Sequence, residues 1–280
     1  MRDAYPKSVT VWYFAYGSNM SSAKFTGSRG IIPIDYARVC IPNWMLRMEI
    51  PGVPYSEPSF SSIIPRDDSD VESENTPDVI GVAYLITEKQ YRDVIASEGG
   101  GIAYSDIAIR AEPVTEKDAA KTGPSPVVRT LASTSIVRRP PPKPSQRYMN
   151  LLTVGAEEAQ IPLSYQKYLA SIIPYEPPKS RWTKFGAFIF LSIWGPVMGL
   201  MEKITKASIG KDGNAPLYVV WLVRITVFII WAVHDWIFAP IFGRGDGLRA
   251  LERKEQRVDQ EKLTEKSFCD KDSHITYGTL

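Results

Sequence analysis

The sequence predicts an α+β protein: a small β-barrel or strongly curved sheet with flanking helices, followed by a C-terminal apolar helical hairpin. Three observations carry that expectation. Six short apolar runs are separated by turns, with few long helices between them, the pattern of a curled sheet. Composition changes at Pro177-Pro178, and two long stretches beyond it are almost free of charge.

Residues 11–16 are aromatic and apolar enough for a buried strand, which Gly17-Ser18-Asn19 ends as a turn. Further strand-like runs cover 36–41, 60–64, 79–85, 107–112 and 127–132. Thr87 followed three residues later by Gln90 is a capping-box pattern, and Tyr91, Val94 and Ile95 stand at helical spacing. A short helix over 87–97 therefore delivers the chain to Glu98-Gly99-Gly100-Gly101. After Pro140-Pro141-Pro142-Lys143-Pro144, two helices are expected over 146–156 and 163–172, separated by Pro162. Between Asp67 and Asp78 stand six acidic residues and no basic one, which predicts a solvated, mobile loop.

Residues 185–201 are seventeen without a charge, and 216–233 are eighteen with only Arg224. At ~1.5 Å per residue each covers about 26 Å, against a hydrocarbon core of roughly 30 Å. Trp182 and Trp236 stand where an aromatic belt belongs; Lys179, Arg181 and Lys184 precede the first stretch, and Arg244 and Arg249 follow the second. A hairpin with both ends in the cytosol fits, making a membrane the expected partner through residues 185–242 and placing the catalytic domain in the cytoplasm. The alternative is a pair of core helices in a soluble protein. Arg224 costs ~2.5–3.5 kcal/mol at the centre of a span, so it either pairs with Asp235 or marks a segment lying in the interface. The charged tail is expected to be a solvated helix fraying into disorder. The domain division that results is 1–180, 181–245 and 246–280.

Composition excludes several function classes. With 33 Lys+Arg against 31 Asp+Glu, the formal charge of +2 gives no reason to expect a nucleic-acid partner. Cys40 and Cys269, far apart, make neither a disulfide framework nor a zinc spacing, so no metal and no cofactor are expected. No imidazole precedes His234, which rules out Ser-His-Asp and Cys-His catalysis for a site built in the first domain. A general base there must be Asp, Glu, Lys or Tyr.

Two segments carry chemistry. Tyr16-Gly17-Ser18-Asn19 ends a buried strand, where glycine admits a ligand close to the backbone and successive N–H groups can face a carboxylate or an oxyanion. Such turns also merely reverse chains. Glu98 with three glycines after it reads as a surface residue in a helix-terminating turn or as a carboxylate base beside the barrel.

Tyr13-Phe14-Ala15-Tyr16-Gly17-Ser18-Asn19-Met20, then Glu98-Gly99 with Tyr104, then Pro144-Ser145-Gln146-Arg147-Tyr148 leading to Gly155-Ala156 and Ile161-Pro162-Leu163-Ser164-Tyr165, resemble the γ-glutamylcyclotransferase family in order over residues 11–172. The resemblance implies a γ-glutamylcyclotransferase-like barrel. It also implies a carbon–nitrogen lyase of the amidine-lyase type, in which a γ-glutamyl amide is cleaved by its own α-amine to give 5-oxoproline and a free amine. By motif match Glu98 is the catalytic residue, and Tyr16, Gly17, Ser18, Asn19, Tyr148 and Tyr104 bind substrate. The sequence is also similar to cyclotransferases of fungal epipolythiodioxopiperazine (gliotoxin-type) secondary metabolism, which trim glutathione adducts. The substrates this implies are a γ-glutamyl amino acid, glutathione or a glutathione conjugate. An inactive γ-glutamyl-binding or membrane scaffold protein of the same fold is the alternative.

The longer glycine run, the acidic loop and everything past Pro178 depart from the family. Glu98 is expected to shuttle the proton from the α-ammonium to the leaving nitrogen, with a pKa brought near neutrality by an apolar pocket that includes strand residues 12–16.

Overall fold

A computed structural model describes residues 9–67, 76–133 and 136–248. Among the described residues, eight strands and seven α-helices form in the order β1 (Thr10–Ala15), β2 (Asp35–Ile41), β3 (Trp44–Val53), β4 (Glu57–Pro65), β5 (Val79–Thr87), α1 (Glu88–Ser97), β6 (Ser105–Arg110), β7 (Glu112–Pro113), α2 (Glu116–Thr122), β8 (Val127–Ala132), α3 (Gln146–Glu158), α4 (Leu163–Ser171), α5 (Arg181–Ser208), α6 (Leu217–Val233) and α7 (Ala239–Phe242). A 3₁₀ turn, Ser18–Met20, and a π-helical turn, Ala23–Ser28, follow β1, and a second π-helical turn, His234–Phe238, joins α6 to α7.

Six strands make one mixed sheet in the order β6-β8-β1-β5-β2-β7, with β1 and β8 parallel and the remaining pairs antiparallel; β3 and β4 form a separate hairpin. The sheet curls into a half-barrel, the fold the strand pattern predicts. Central β1 and β5 carry Phe14, Val82 and Ala83 into the core, where Val94 of α1, Leu152 of α3 and Leu169 of α4 cover them. Burying the Phe, Val and Leu side chains among these stabilises the fold by about 1.5–3 kcal/mol each.

The capping box holds: Gln90 N–H donates to Thr87 Oγ1 at 3.2 Å, and Thr87 N–H to Gln90 Oε1 at 2.9 Å. Two elements were not expected. In β3, buried Arg47 and Glu49 disguise the strand, and Pro51-Gly52 reads as a turn. Helix α2 is short, and Thr115 caps it by accepting from Asp118 N–H at 3.3 Å. The expected run 107–112 divides into β6 and β7 at buried Ala111. The acidic loop lies mostly outside the described residues, as does the tail from 249.

Helices α5 and α6 pack on the barrel. Tyr55 and Val53 meet Ala187, Phe190, Ile230 and Trp231, and Ile102 meets Met201, Val219 and Val223. Trp231 Nε1 donates to Gly52 O at 3.0 Å, so the second apolar helix is tied to β3. Arg224 donates through Nε to Ile102 O at 3.0 Å and not to Asp235, the partner in one of its two readings from the sequence. Asp235 instead accepts from Arg138 and Arg244. The outer face, with Phe188, Leu217, Tyr218, Trp221, Phe228 and Trp236, stays exposed. Residues 246–248, assigned to the tail, continue a strap along the barrel: Tyr55 N–H donates to Gly245 O at 2.6 Å, and Lys143 N–H to Asp246 O at 2.9 Å.

Candidate active site

The turn after β1 and the end of α1 meet at one cradle. The chain leaves the sheet at Tyr16, whose hydroxyl donates to Leu131 O on β8. At Gly17 a Cβ would stand 2.8 Å from Ser61 Oγ and 3.3 Å from Tyr148 OH, so only glycine leaves those hydroxyls in place. The 3₁₀ turn then closes with Met20 N–H donating to Gly17 O at 3.0 Å and points Asn19 inward.

Asn19 joins the two segments. Its Nδ2 donates to Glu98 Oε1 at 3.0 Å and to Tyr13 OH at 2.8 Å. Glu98 comes directly after α1, and its N–H donates to Val94 O at 3.0 Å. Gly99, Gly100 and Gly101 all follow with positive φ, +88°, +57° and +84°, a left-handed run that other residues adopt at a cost of roughly 1–2 kcal/mol each. That conformation turns the chain away and leaves the Glu98 side chain facing the Tyr-Gly-Ser-Asn turn.

Arg29, which no motif indicated, completes this arrangement. It ends the π-helical turn and donates through Nε to Asn19 Oδ1 at 2.7 Å and through its terminal nitrogen to Glu98 Oε1. The pair is well covered, with side-chain exposures of 9% for Arg29 and 25% for Glu98. The apolar surrounding expected for Glu98 is therefore replaced by a guanidinium and an amide.

Across the cradle, Ser145 caps α3 by accepting from Tyr148 N–H at 3.0 Å, which sends the Tyr148 ring inward. Its hydroxyl meets Ser61 Oγ at 2.7 Å and accepts from Ser61 N–H at 3.2 Å; Tyr104 OH donates to Ser61 O at 2.9 Å. Burial pushes the Tyr148 phenol up to about 12 and those of Tyr13, Tyr16 and Tyr104 well above their ordinary value. These phenols stay protonated at neutral pH and act as hydrogen-bonding groups rather than bases. Among the residues lining the cradle, Glu98 is the only carboxylate.

All seven expected site residues, Glu98, Tyr16, Gly17, Ser18, Asn19, Tyr104 and Tyr148, thus line one small cavity of about 40 Å³. Ser18, Glu98, Tyr104 and Tyr148 also line a second cavity of about 600 Å³ beside it.

A separate cluster brings His234, Asp235 and Asp246 within 4.8 Å of one another. Its donor atoms are already engaged. Gly245 N–H donates to His234 Nε2 at 3.0 Å, which assigns the ring proton to Nδ1, 3.0 Å from Asp235 Oδ1. Arg244 bonds both carboxylates and Arg138 bonds Asp235. The cluster is a charge-balanced latch that ties the strap to the helices.

The chain is 42% identical over 249 residues to the γ-glutamyl cyclotransferase aclK of Aspergillus oryzae, covering 85% of this chain and 90% of that protein. To the γ-glutamyl cyclotransferase gliK of Aspergillus fumigatus it is 34% identical over 246 residues, 85% and 89% of the two chains. The AclK C-terminal domain family matches residues 180–241. A solved γ-glutamyl cyclotransferase aligns at 20% identity with a TM-score of 0.48, over 62% of this chain and 93% of its own.

Proposed function

The chain belongs to the γ-glutamyl cyclotransferase family, and we propose that it releases 5-oxoproline from a γ-glutamyl amide with Glu98 as the proton carrier. The observation that carries this reading is the Glu98 carboxylate held by Asn19, at 3.0 Å, and by Arg29 against the Tyr-Gly-Ser-Asn turn.

The substrate's glutamyl end enters the cradle, its charged groups met by the turn's N–H groups and by Asn19, Tyr104 and Tyr148. Glu98 takes a proton from the α-ammonium. The freed amine attacks the γ-carbonyl carbon, forming the ring C–N bond, while N–H groups of Gly17 to Asn19 stabilise the oxyanion; losing such a donor typically costs ~10²–10³ in rate. Collapse breaks the original amide bond as Glu98 passes its proton to the departing nitrogen, and Glu98 then relays the second proton of the ring nitrogen to the released amine, which leaves as an ammonium. Glu98 ends as the carboxylate it began as, and no water is consumed. Nucleophile and carbonyl share one molecule, so the site needs only to hold the reactive rotamer.

The adjoining cavity of about 600 Å³ supports an amine half larger than a simple amino acid, which favours glutathione or a glutathione conjugate. Lys24 among its lining residues supplies a cation for a carboxylate on that half.

Helices Arg181–Ser208 and Leu217–Phe242 are long and apolar enough to cross a membrane. Their docking favours a monotopic arrangement, with one face on the barrel and the exposed aromatic face in the lipid interface of a membrane reached from the cytoplasm. On this reading the chain divides into a catalytic unit to residue 180 and a docked hairpin to about 245.

The test is 5-oxoproline release by the full chain from γ-glutamyl-alanine, glutathione and an S-alkylated glutathione. Turnover of at least one is expected. Binding without release from any of them would establish the inactive-binder alternative.

A further inference from the structure

The larger cavity is walled on one side by the barrel, through Ile50, Phe60 and Ile102, and on the other by the apolar hairpin, through Leu191, Gly195, Met198, Val223 and Val227. A hairpin serving only as an anchor has no need to place five residues in a cavity that also contains Glu98. On the inward stripe of α6, Val219, Ile230 and Trp231 are buried in packing, and Val223 and Val227, which join the same packing, also line the cavity.

Two further observations fix the wall in place. Ala215 N–H, in the turn between the helices, donates to Gly100 O at 2.8 Å, and Gly213 lies where a Cβ would stand 2.5 Å from Arg92 O on α1. The extra glycines after Glu98 are therefore the seat of the hairpin turn. Gly195 is exposed at the rim of this wall, and a Cβ there would meet nothing within 4 Å, so a larger side chain can be placed in the cavity lining without a clash.

We propose that α5 and α6 form the specificity wall of the active site, with Gly195, Met198, Val223 and Val227 receiving a bulky apolar group on the amine half of the substrate. This rests on the cyclotransferase reading above, and it assigns the C-terminal hairpin a role in substrate choice independent of any membrane. The wall touches the departing half alone, so filling it discriminates by size and leaves the chemistry on the glutamyl half intact.

The experiment compares kcat/KM of the full-length protein for γ-glutamyl-alanine and γ-glutamyl-S-benzylcysteine in the Gly195→Leu variant. A leucine there enters open space, and hydrophobic pockets discriminate by about 10–200-fold per group. The bulky substrate is expected to lose at least about tenfold while the small one stays within about threefold. Gly199→Leu, on the same helix but outside the cavity lining and with equally open surroundings, is expected to leave the ratio unchanged. Should Gly195→Leu fail to fold, Met198→Ala widens the same wall and is expected to move the ratio toward the bulky substrate. Equal loss on both substrates, or an unchanged ratio in both wall variants, overturns the proposal and leaves the cyclotransferase reading standing. A wild-type protein that cyclises neither substrate overturns both.

Discussion

Ala215 N–H donates to Gly100 O at 2.8 Å, two residues beyond Glu98, so the turn of the C-terminal hairpin and the glycine loop after Glu98 are held by one backbone hydrogen bond. The contact needs glycine twice over. Gly100 has φ +57°, and a Cβ there would stand 2.8 Å from the Ala215 nitrogen it must reach.

Gly100→Ala is therefore expected to destabilise the protein by about 1–3 kcal/mol through backbone strain alone. Turnover should fall as well, because the displaced turn shifts Glu98. Thermal unfolding and 5-oxoproline release measured together check this; an unchanged Tm would remove the seat from the account.

Glu98→Gln keeps the shape and the Asn19 neighbour but cannot carry a proton. A loss of about 10²–10⁴ in kcat is expected, with KM for a γ-glutamyl amide within a few-fold. Near-normal release of 5-oxoproline by this variant would eliminate Glu98 as the carrier.

Arg29 holds Glu98 and Asn19 with two different nitrogens, a fork that lysine cannot reproduce. Arg29→Lys should therefore fail to rescue Arg29→Ala, both losing about 10² in kcat as the carboxylate leaves its position. Separate kcat and KM values make the check, since a purely structural role would be restored by the conserved charge.

Alkaline pH acts through the cradle phenols. Tyr148 is raised from an ordinary 10.0 to about 12 by burial, so the folded state binds its proton more tightly than the unfolded chain does. Its stabilising contribution is complete below pH 10 and is lost as the pH rises toward 12, with Tyr13, Tyr16 and Tyr104 acting in the same direction. Tyrosinate absorbance should thus appear together with unfolding rather than before it. In Tyr148→Phe the Ser61 N–H loses its acceptor, a cost of about 1–3 kcal/mol visible in denaturant unfolding.

Much of the site was legible because its residues lie in short contiguous runs. Tyr16 to Asn19 end a strand whose aromatic pattern is plain, and Glu98 follows a helix announced by Thr87 and Gln90. Arg29 was not legible: it meets Glu98 across 69 positions from an irregular turn that has no periodicity. Strand β3 was hidden by buried charges at Arg47 and Glu49, which break the alternation a strand is read from. The apolar stretches gave their own helicity away, and α5 runs beyond its uncharged part at both ends. Which face of α6 meets the barrel depends on partners such as Gly52 and Ile102, distant in the chain.

The greasy outer side of the two long helices backs onto the chamber proposed to hold the departing half of the amide. Trimming that side away to obtain a well-behaved fragment would leave the chamber open to bulk solvent, so preparations that retain amphiphile around the intact polypeptide are the ones in which its selectivity can be measured.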